Sequence, residues 1–255
     1  MYNYRILIQY DGGRFDGWQR LGKDASENTV EFKIKEILKK MTGEEAELFC
    51  GCRTEKGVHA YGQVANFKLN SRQNCMELRN YLNRYLPRDI AVLKVEAVDE
   101  RFHSQLLAKE TTYLYRIDTK SIASVFERKY SYHTFHPLDY EAMNKAAAYF
   151  LGKHDFKAFT TARKSKSTER EIKNITISCD ESGIAQLRIT ANDFLHNMAR
   201  LMIGILLDVG TGLKKPEKCT GHSGWKRCSD VTAGRKLWTV FGRSPILVYD
   251  EVLFR

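Results

Sequence analysis

Residues 51–60 read Gly51-Cys52-Arg53-Thr54-Glu55-Lys56-Gly57-Val58-His59-Ala60 and run on into Tyr61-Gly62-Gln63-Val64-Ala65-Asn66-Phe67. An arginine, a threonine and an acid stand together before Gly57, which permits a tight backbone turn, and the chain then re-enters a stretch suited to a strand. Taken alone, the segment is a polar loop between strands. A loop acid beside an arginine is more often a structural ion pair than a reacting group, so function has to be sought in the surroundings.

Working outward, strands are expected near Ala46–Cys50 before the loop and Gln63–Leu69 after it. Further upstream, Ile6, Ile8 and Tyr10 alternate with Arg5, Leu7 and Gln9 and are closed by Asp11-Gly12-Gly13, the pattern of a strand entering a turn. Asn28-Thr29 can cap a helix in which Val30, Ile34, Ile37, Leu38 and Met41 form one apolar stripe, and Gly43 ends it. Downstream, a helix near Met76–Leu86 is stopped by Pro87, and a strand follows near Ile90–Val98. The first half therefore reads β-α-β-β-α-β.

The second half repeats the mixture. Strands are expected at Thr112–Asp118, Glu169–Cys179, Ile184–Thr190 and near Ile246–Phe254, with helices at Asp139–Leu151 and Phe194–Val209. This is an α+β class fold of two similar halves, residues 1–103 and 104–255, each a largely antiparallel sheet with helices, and an RNA-binding cleft between them is expected. Apolar periodicity fades from Lys214 to Arg243, where turn-forming and basic residues dominate.

With 255 residues, 43% of them hydrophobic, the chain can bury a substantial core. Its most apolar stretch, Leu195 to Val209, is broken by His196, Asn197, Arg200 and Asp208, so no segment is expected to span a membrane. The N-terminus lacks the pattern of a signal peptide, which gives a cytoplasmic expectation. Forty-one Lys and Arg against 31 Asp and Glu leave a net charge of +10, which favours a polyanionic partner through phosphate contacts. Six cysteines are irregularly spread and read as reduced thiols; Cys219, His222 and Cys228 could supply three zinc ligands and Cys50-x-Cys52 more, but neither spacing is a paired knuckle, so no metal is expected.

The quoted loop resembles the motif G-R-T-D-A-G-V-H-A of the tRNA pseudouridine synthase A family, with its G-Q-V and phenylalanine following. Other segments are similar to that family in the same order. Tyr10-Asp11-Gly12 and Gly17-Trp18-Gln19-Arg20 match its opening, and Leu86-Pro87-Arg88-Asp89-Ile90-Ala91-Val92 its L-P-x-D-I-A-V. Arg101-Phe102-His103-Ser104 with Thr112-Tyr113-Leu114-Tyr115, His154-Asp155-Phe156, and Asn192-Asp193-Phe194-Leu195 through Arg200 continue the series. The resemblance implies a cofactor-free isomerase that detaches uracil from its ribose, turns it and rejoins it through C5, acting on the anticodon stem-loop of tRNA. It implies that Glu55 holds the place of the initiating acid and that Arg53 pairs with that acid and helps displace the target nucleotide. It gives Tyr113 the uracil-stacking position and Arg200 a second positive charge for the acid. Thr54, Gly57, His59, Gln19 and Arg20 fall among its substrate-binding positions, Leu247 at an apolar wall, and a homodimer is implied.

The motif departs from the family in four places. Glu55 stands for aspartate, Cys52 for glycine, Lys56 for alanine, and Gln105 for the arginine that follows F-H-A. One added methylene moves a carboxylate by about 1 Å, against a tolerance of about 0.5 Å in a catalytic constellation. Cys52 would exclude a backbone angle that glycine takes easily, and Lys56 would set a further charge beside the acid. Two readings follow: an active tRNA uridine isomerase, and a non-catalytic RNA-binding protein or tRNA chaperone on the same fold. A thiol or zinc protein built on Cys219, His222 and Cys228 is the third.

Overall fold

The alternation of Tyr4, Ile6, Ile8 and Tyr10 becomes strand β1, Tyr2–Tyr10, whose inward-facing side chains are all buried. In the computed structural model that follows, the described residues are 1–19, 26–162, 167–219 and 246–249. Arg20, His222 and Cys228, singled out above, lie outside them. The chain divides into two compact units, Met1–Thr111 together with the chain from Leu247, and Thr112–Ile246.

In the first unit, β1 is followed by helix α1 (Val30–Thr42), strands β2 (Leu48–Cys50) and β3 (His59–Leu69), helix α2 (Cys75–Tyr85), strand β4 (Ile90–Val98) and a short helix α3 (Ser104–Leu107). The order β-α-β-β-α-β is the one expected. Helix α1 starts where Thr29 accepts a hydrogen bond from the Phe32 N–H, and it ends at Gly43 in the left-handed region (φ 73°). At α2 the cap is Asn74, whose side chain accepts from the Met76 and Glu77 N–H groups. β1 lies between β3 and β4, antiparallel to both, and β2 pairs antiparallel with β3. Val30, Ile34, Leu38, Leu78 and Leu82 of the two helices close over Ile6, Ile8, Phe67, Leu69 and Val92 of the sheet. The last strand, numbered β10 below, returns to this unit and runs parallel to β3 with Leu247 opposite His59.

The second unit carries β5 (Thr111–Asp118), β6 (Tyr132–His133), α4 (Tyr140–Ala148), β7 (Gly152–Asp155), β8 (Glu169–Cys179), β9 (Ile184–Ala191) and α5 (Met198–Gly210), and β10 is Ile246–Tyr249. Its strands are ordered β5-β9-β8-β7, with β6 beside β5. Asp139 caps α4 by accepting from the Ala142 N–H at 2.9 Å. Gly210 sits so near α4 that a Cβ there would come within 2.5 Å of the Met143 sulfur.

Three boundaries move by three residues or more: β3 begins at His59 rather than near Gln63, α4 ends at Ala148 rather than Leu151, and α5 starts late. The apolar run predicts α5 from Phe194, yet the helix begins at Met198, because Asn197 adopts φ 62° and cannot continue a helix from the residues before it. Asn197 is anchored there by donating to Thr161 Oγ1 at 2.7 Å, while Thr160 donates to the His196 carbonyl at 3.1 Å. β6, β7 and α3 were not expected; each is two to four residues long, too short to show a period.

On the sheet face away from α1 and α2, a buried amide pair fastens the end of this unit. Asn3 donates to the carbonyls of Asp99 and Phe102, both at 2.9 Å. Asn66 donates to Asn3 Oδ1 at 3.0 Å and accepts from the Ser104 N–H at 2.8 Å. Replacing Asn66 by alanine strips partners from buried donors and acceptors at once. We expect Asn66→Ala to lower unfolding free energy by about 2 kcal/mol, seen as a lower urea midpoint at unchanged m-value.

Candidate active site

The loop quoted first leaves β2 and enters β3 around a turn in which Glu55 C=O accepts from the Val58 N–H at 3.1 Å and Gly57 takes φ 77°. Side chains along it face alternately out and in. Arg53 is exposed, Thr54 is 5% exposed, and Glu55 is half-buried. Thr54 is held at both ends: its Oγ1 lies 2.7 Å from the Tyr10 hydroxyl, and its carbonyl accepts from the Trp18 N–H at 3.0 Å. Thr54 is turned inward, and Arg53 and Glu55 on either side of it are more exposed than it is.

Residues 11–18 form the bed under this loop, and two glycines make the fit possible. A Cβ on Gly12 would stand 1.9 Å from the Val58 carbonyl oxygen, closer than any real contact. Gly17, at φ 103°, brings its α-carbon against the Thr54 carbonyl, where a Cβ would be 2.9 Å away. The Gly57 N–H donates to the Phe15 carbonyl at 3.4 Å. His59, 5% exposed, closes the far side with Nδ1 2.9 Å from Asp11 Oδ1 and 3.2 Å from the Gly12 nitrogen. Which of these two contacts is a hydrogen bond depends on whether Nδ1 carries a proton.

Two expectations about the departures from the motif are revised here. Lys56 does not set an unengaged charge beside Glu55; its ammonium group pairs with Asp16 at 2.7 Å. That hydrogen bond, helped by one from Ser26, holds the Asp16 carboxyl below its ordinary value. Cys52 takes no left-handed conformation, since Asn197 alone among the described non-glycine residues has positive φ. The cysteine is therefore compatible with the backbone path.

Arg53 lines a recess of about 370 Å³ with Trp18, Gln19, Glu31, Phe49, His103 and Gln105. Among the described residues no ion pair joins Arg53 to Glu55. His103 stacks on Phe49 with ring centres 4.3 Å apart. Gln19 sits in the wall, and its buried Oε1 meets no hydrogen-bond donor among the described residues. Leu247 enters this unit through the backbone pairing of β10 with His59. In the second unit, Tyr113 is 8% exposed and meets Phe194 edge-on at 4.5 Å, while Arg200 is half-buried in the first turn of α5. Among the described residues no group of three His, Cys, Asp or Glu side chains could hold a metal.

Thr54 and His59, expected at the substrate, thus direct their side chains to Tyr10 and Asp11 of their own unit. Sequence reasoning assigned no role to Tyr10, Asp16 or Gln63. The one available signal was parity: Gln63 is a polar residue in line with the apolar, core-facing Ala65, Phe67 and Leu69 of β3.

A model of the tRNA pseudouridine synthase family matches residues 6–105 and 146–223 of this chain. The tRNA pseudouridine synthase A of Bacillus sp. (strain KSM-64) is 48% identical over 219 residues, covering 86% of this chain and 88% of that protein. The tRNA pseudouridine synthase A 2 of Bacillus cereus (strain ATCC 10987 / NRS 248) is 44% identical over 213 residues, covering 83% and 86%. Among solved structures, the archaeal box H/ACA sRNP Nop10-Cbf5 complex aligns over 80% of this chain and 43% of its own at a TM-score of 0.37 and 12% identity, a likeness too distant to carry weight. Glu55, Arg53 and Arg200 lie inside the matched segments; Tyr113 and Leu247 lie outside them.

Two outcomes follow from this geometry. Gly12→Ala forces the Val58 carbonyl away, so it should depress the melting temperature and raise amide exchange across 53–58, with Gly13→Ala, which meets no backbone atom, as the mild control. For Asp16, a folded-state pKa below the unfolded one means that the pair with Lys56 stabilises above the unfolded value and is lost as pH falls through the folded one. Lys56→Gln should shift the Asp16 carboxyl titration upward by NMR; an unmoved titration would refute the pairing.

Proposed function

This chain belongs to the tRNA pseudouridine synthase family, and we infer from that membership that it isomerises uridine to pseudouridine in the anticodon stem-loop of tRNA. The observation that carries the reading is the loop itself. Buried Thr54 is pinned from two sides, so the arginine and the acid that flank it are carried on a braced turn. Such bracing places reacting groups without reorganisation during the reaction.

In this reading Glu55 is the acid that initiates the reaction and Arg53 is the cation at its side. The exposed guanidinium can reach a phosphate or fill the space left by a displaced nucleotide, which its position at the rim of the recess supports. Gln19 and Gly57 bind the substrate at the edges of that loop, and Thr54 and His59 hold it in place. From the family resemblance, Tyr113 stacks on the uracil, Arg200 keeps the acid ionised, and Leu247 supplies an apolar wall. The net charge of +10 favours a phosphate-rich partner. The protein acts in the cytoplasm as a homodimer; a solution mass of one chain at micromolar concentration would refute the dimer. No helix among the described residues is long and apolar enough to cross a membrane.

The alternative, an RNA-binding protein without catalysis, is not favoured. Its case rests on Glu55, Cys52 and Gln105; of these, Cys52 is compatible with the backbone path and Glu55 keeps the charge of the acid. The assay is release of tritium from C5-labelled uridine in tRNA. Wild-type protein should release it, and Glu55→Gln should reduce the rate by about 10³-fold while tRNA affinity changes little. No release above background at stoichiometric enzyme would refute the proposal. Glu55→Asp separates two geometries: a gain in rate means that the longer acid overshoots, and a loss means that the site is fitted to glutamate.

A further inference from the structure

We propose that Tyr10 and Gln63 are positioning residues for the acid loop, acting on Glu55 and Arg53 through a hydrogen-bonded chain that ends at Thr54. The proposal rests on the isomerase reading for its kinetic consequence, but its structural part can be measured without turnover.

The geometry is short and directional. Tyr10 donates its hydroxyl proton to Gln63 Oε1 at 2.5 Å, and Thr54 Oγ1 lies 2.7 Å from the same hydroxyl oxygen. A phenol has one proton. With that proton directed to Gln63, the Thr54 hydroxyl must donate to Tyr10, so the order Thr54 to Tyr10 to Gln63 is fixed and the Thr54 side chain has one orientation. Its carbonyl is fixed separately by Trp18. Thr54 stands between Arg53 and Glu55, so its orientation sets where both neighbours point.

Gln63 is placed for this purpose by an irregularity in β3. Pairing of β1 with β3 shifts register between Ile8, opposite Gln63, and Tyr10, opposite Ala60. Two steps along β1 thus correspond to three along β3, the signature of a bulge at Tyr61-Gly62. The bulge lets Ala60 and Gln63 both face the core despite their odd spacing. Parallel pairing with β10 shifts at the same place, between Val248 opposite Ala60 and Tyr249 opposite Gly62.

The position is costly for the fold. Gln63 is 0% exposed, and its Nε2 reaches no acceptor among the described residues. A buried amide with one end unanswered destabilises the folded chain relative to an apolar side chain of similar size. A residue serving only the core would be better replaced by methionine. What the amide supplies in return is the acceptor that orients Tyr10.

Stability and activity should therefore separate. Gln63→Met is expected to leave the urea midpoint unchanged or raised, because the Tyr10 hydroxyl can turn and donate to Thr54. The same variant should lower kcat for tritium release at least tenfold with KM within twofold, and increase amide exchange over 53–58 while exchange in β1 and α1 stays as in wild type. Tyr10→Phe should do the same to kcat and exchange, and the two changes should not add when combined, since each breaks one chain. Thr54→Ser, which keeps the hydroxyl, should retain activity where Thr54→Val loses it. A Gln63→Met protein with wild-type kcat and wild-type exchange would overturn the proposal. So would a fall in kcat matched by a fall in midpoint, which is the mark of a structural role alone. An inert wild-type protein would refute the isomerase reading instead, and the exchange measurement would still decide whether Gln63 holds the loop.

Discussion

A turn carrying an arginine and an acid is a poor platform unless something restrains it, and here the restraint is the burial of one hydroxyl. Thr54 points into the core and meets Tyr10, while its carbonyl takes the Trp18 N–H. Those two contacts couple the loop to quite different parts of the unit. Tyr10 is the last residue of the central strand, and Trp18 belongs to the segment that feeds α1: its carbonyl accepts the Glu31 N–H at 2.9 Å, and that of Gly17 the Val30 N–H at 3.3 Å. Groups that a helix start would leave unsatisfied are thereby answered by the bed beneath the loop. Helix, strand and loop share one set of hydrogen bonds, so displacement of any of them is felt at Glu55.

The two glycines belong to the same argument. Gly12 and Gly17 are needed because backbone packs on backbone there, with no room for a methyl group between residues 12–18 and 54–58. Close packing of main chains brings many donors and acceptors into register without side chains intervening. It also explains why residues 40 positions apart in sequence can behave as one element.

Much of this was legible from sequence, but unevenly. The alternation of β1, the caps at Thr29 and Asp139 and the stop at Gly43 follow local rules, and they stand where those rules put them. The start of α5 did not, because a left-handed Asn197 depends on hydrogen bonds to residues 160–161 that no local pattern announces. At the site, the residues of the loop could be found by resemblance. The bond from Tyr10 to Gln63 could not, because it joins residues 53 apart through a bulge that reverses the parity on which strand reasoning depends. Nor could the pairing of Lys56 with Asp16 be read from the chain, although it decides whether the lysine disturbs the acid.

The distribution of the departures within the motif bears on what they do. Of the positions that agree with the family pattern, Thr54, Val58, His59 and Ala60 are buried, Gly57 is half-buried and Arg53 exposed, whereas Cys52, Glu55 and Lys56, which do not agree, are half-buried or exposed. The path of the backbone is thus set by the positions that agree. What changes is the length and charge of groups mounted on that path. Lys56 is neutralised by Asp16, and Cys52 requires no special backbone, which leaves the extra methylene of Glu55 as the change with chemical consequence. Under the proposed function, a carboxylate carried about 1 Å further needs the reacting nucleotide or the loop to be placed differently, because placement matters to about 0.5 Å. The recess beside Arg53 has Gln105 in its wall where the family has arginine. A shorter, neutral side chain at that point changes the space beside Arg53. Under the proposed function the two substitutions thus act through different groups, one through the reach of the acid and the other through the surroundings of Arg53.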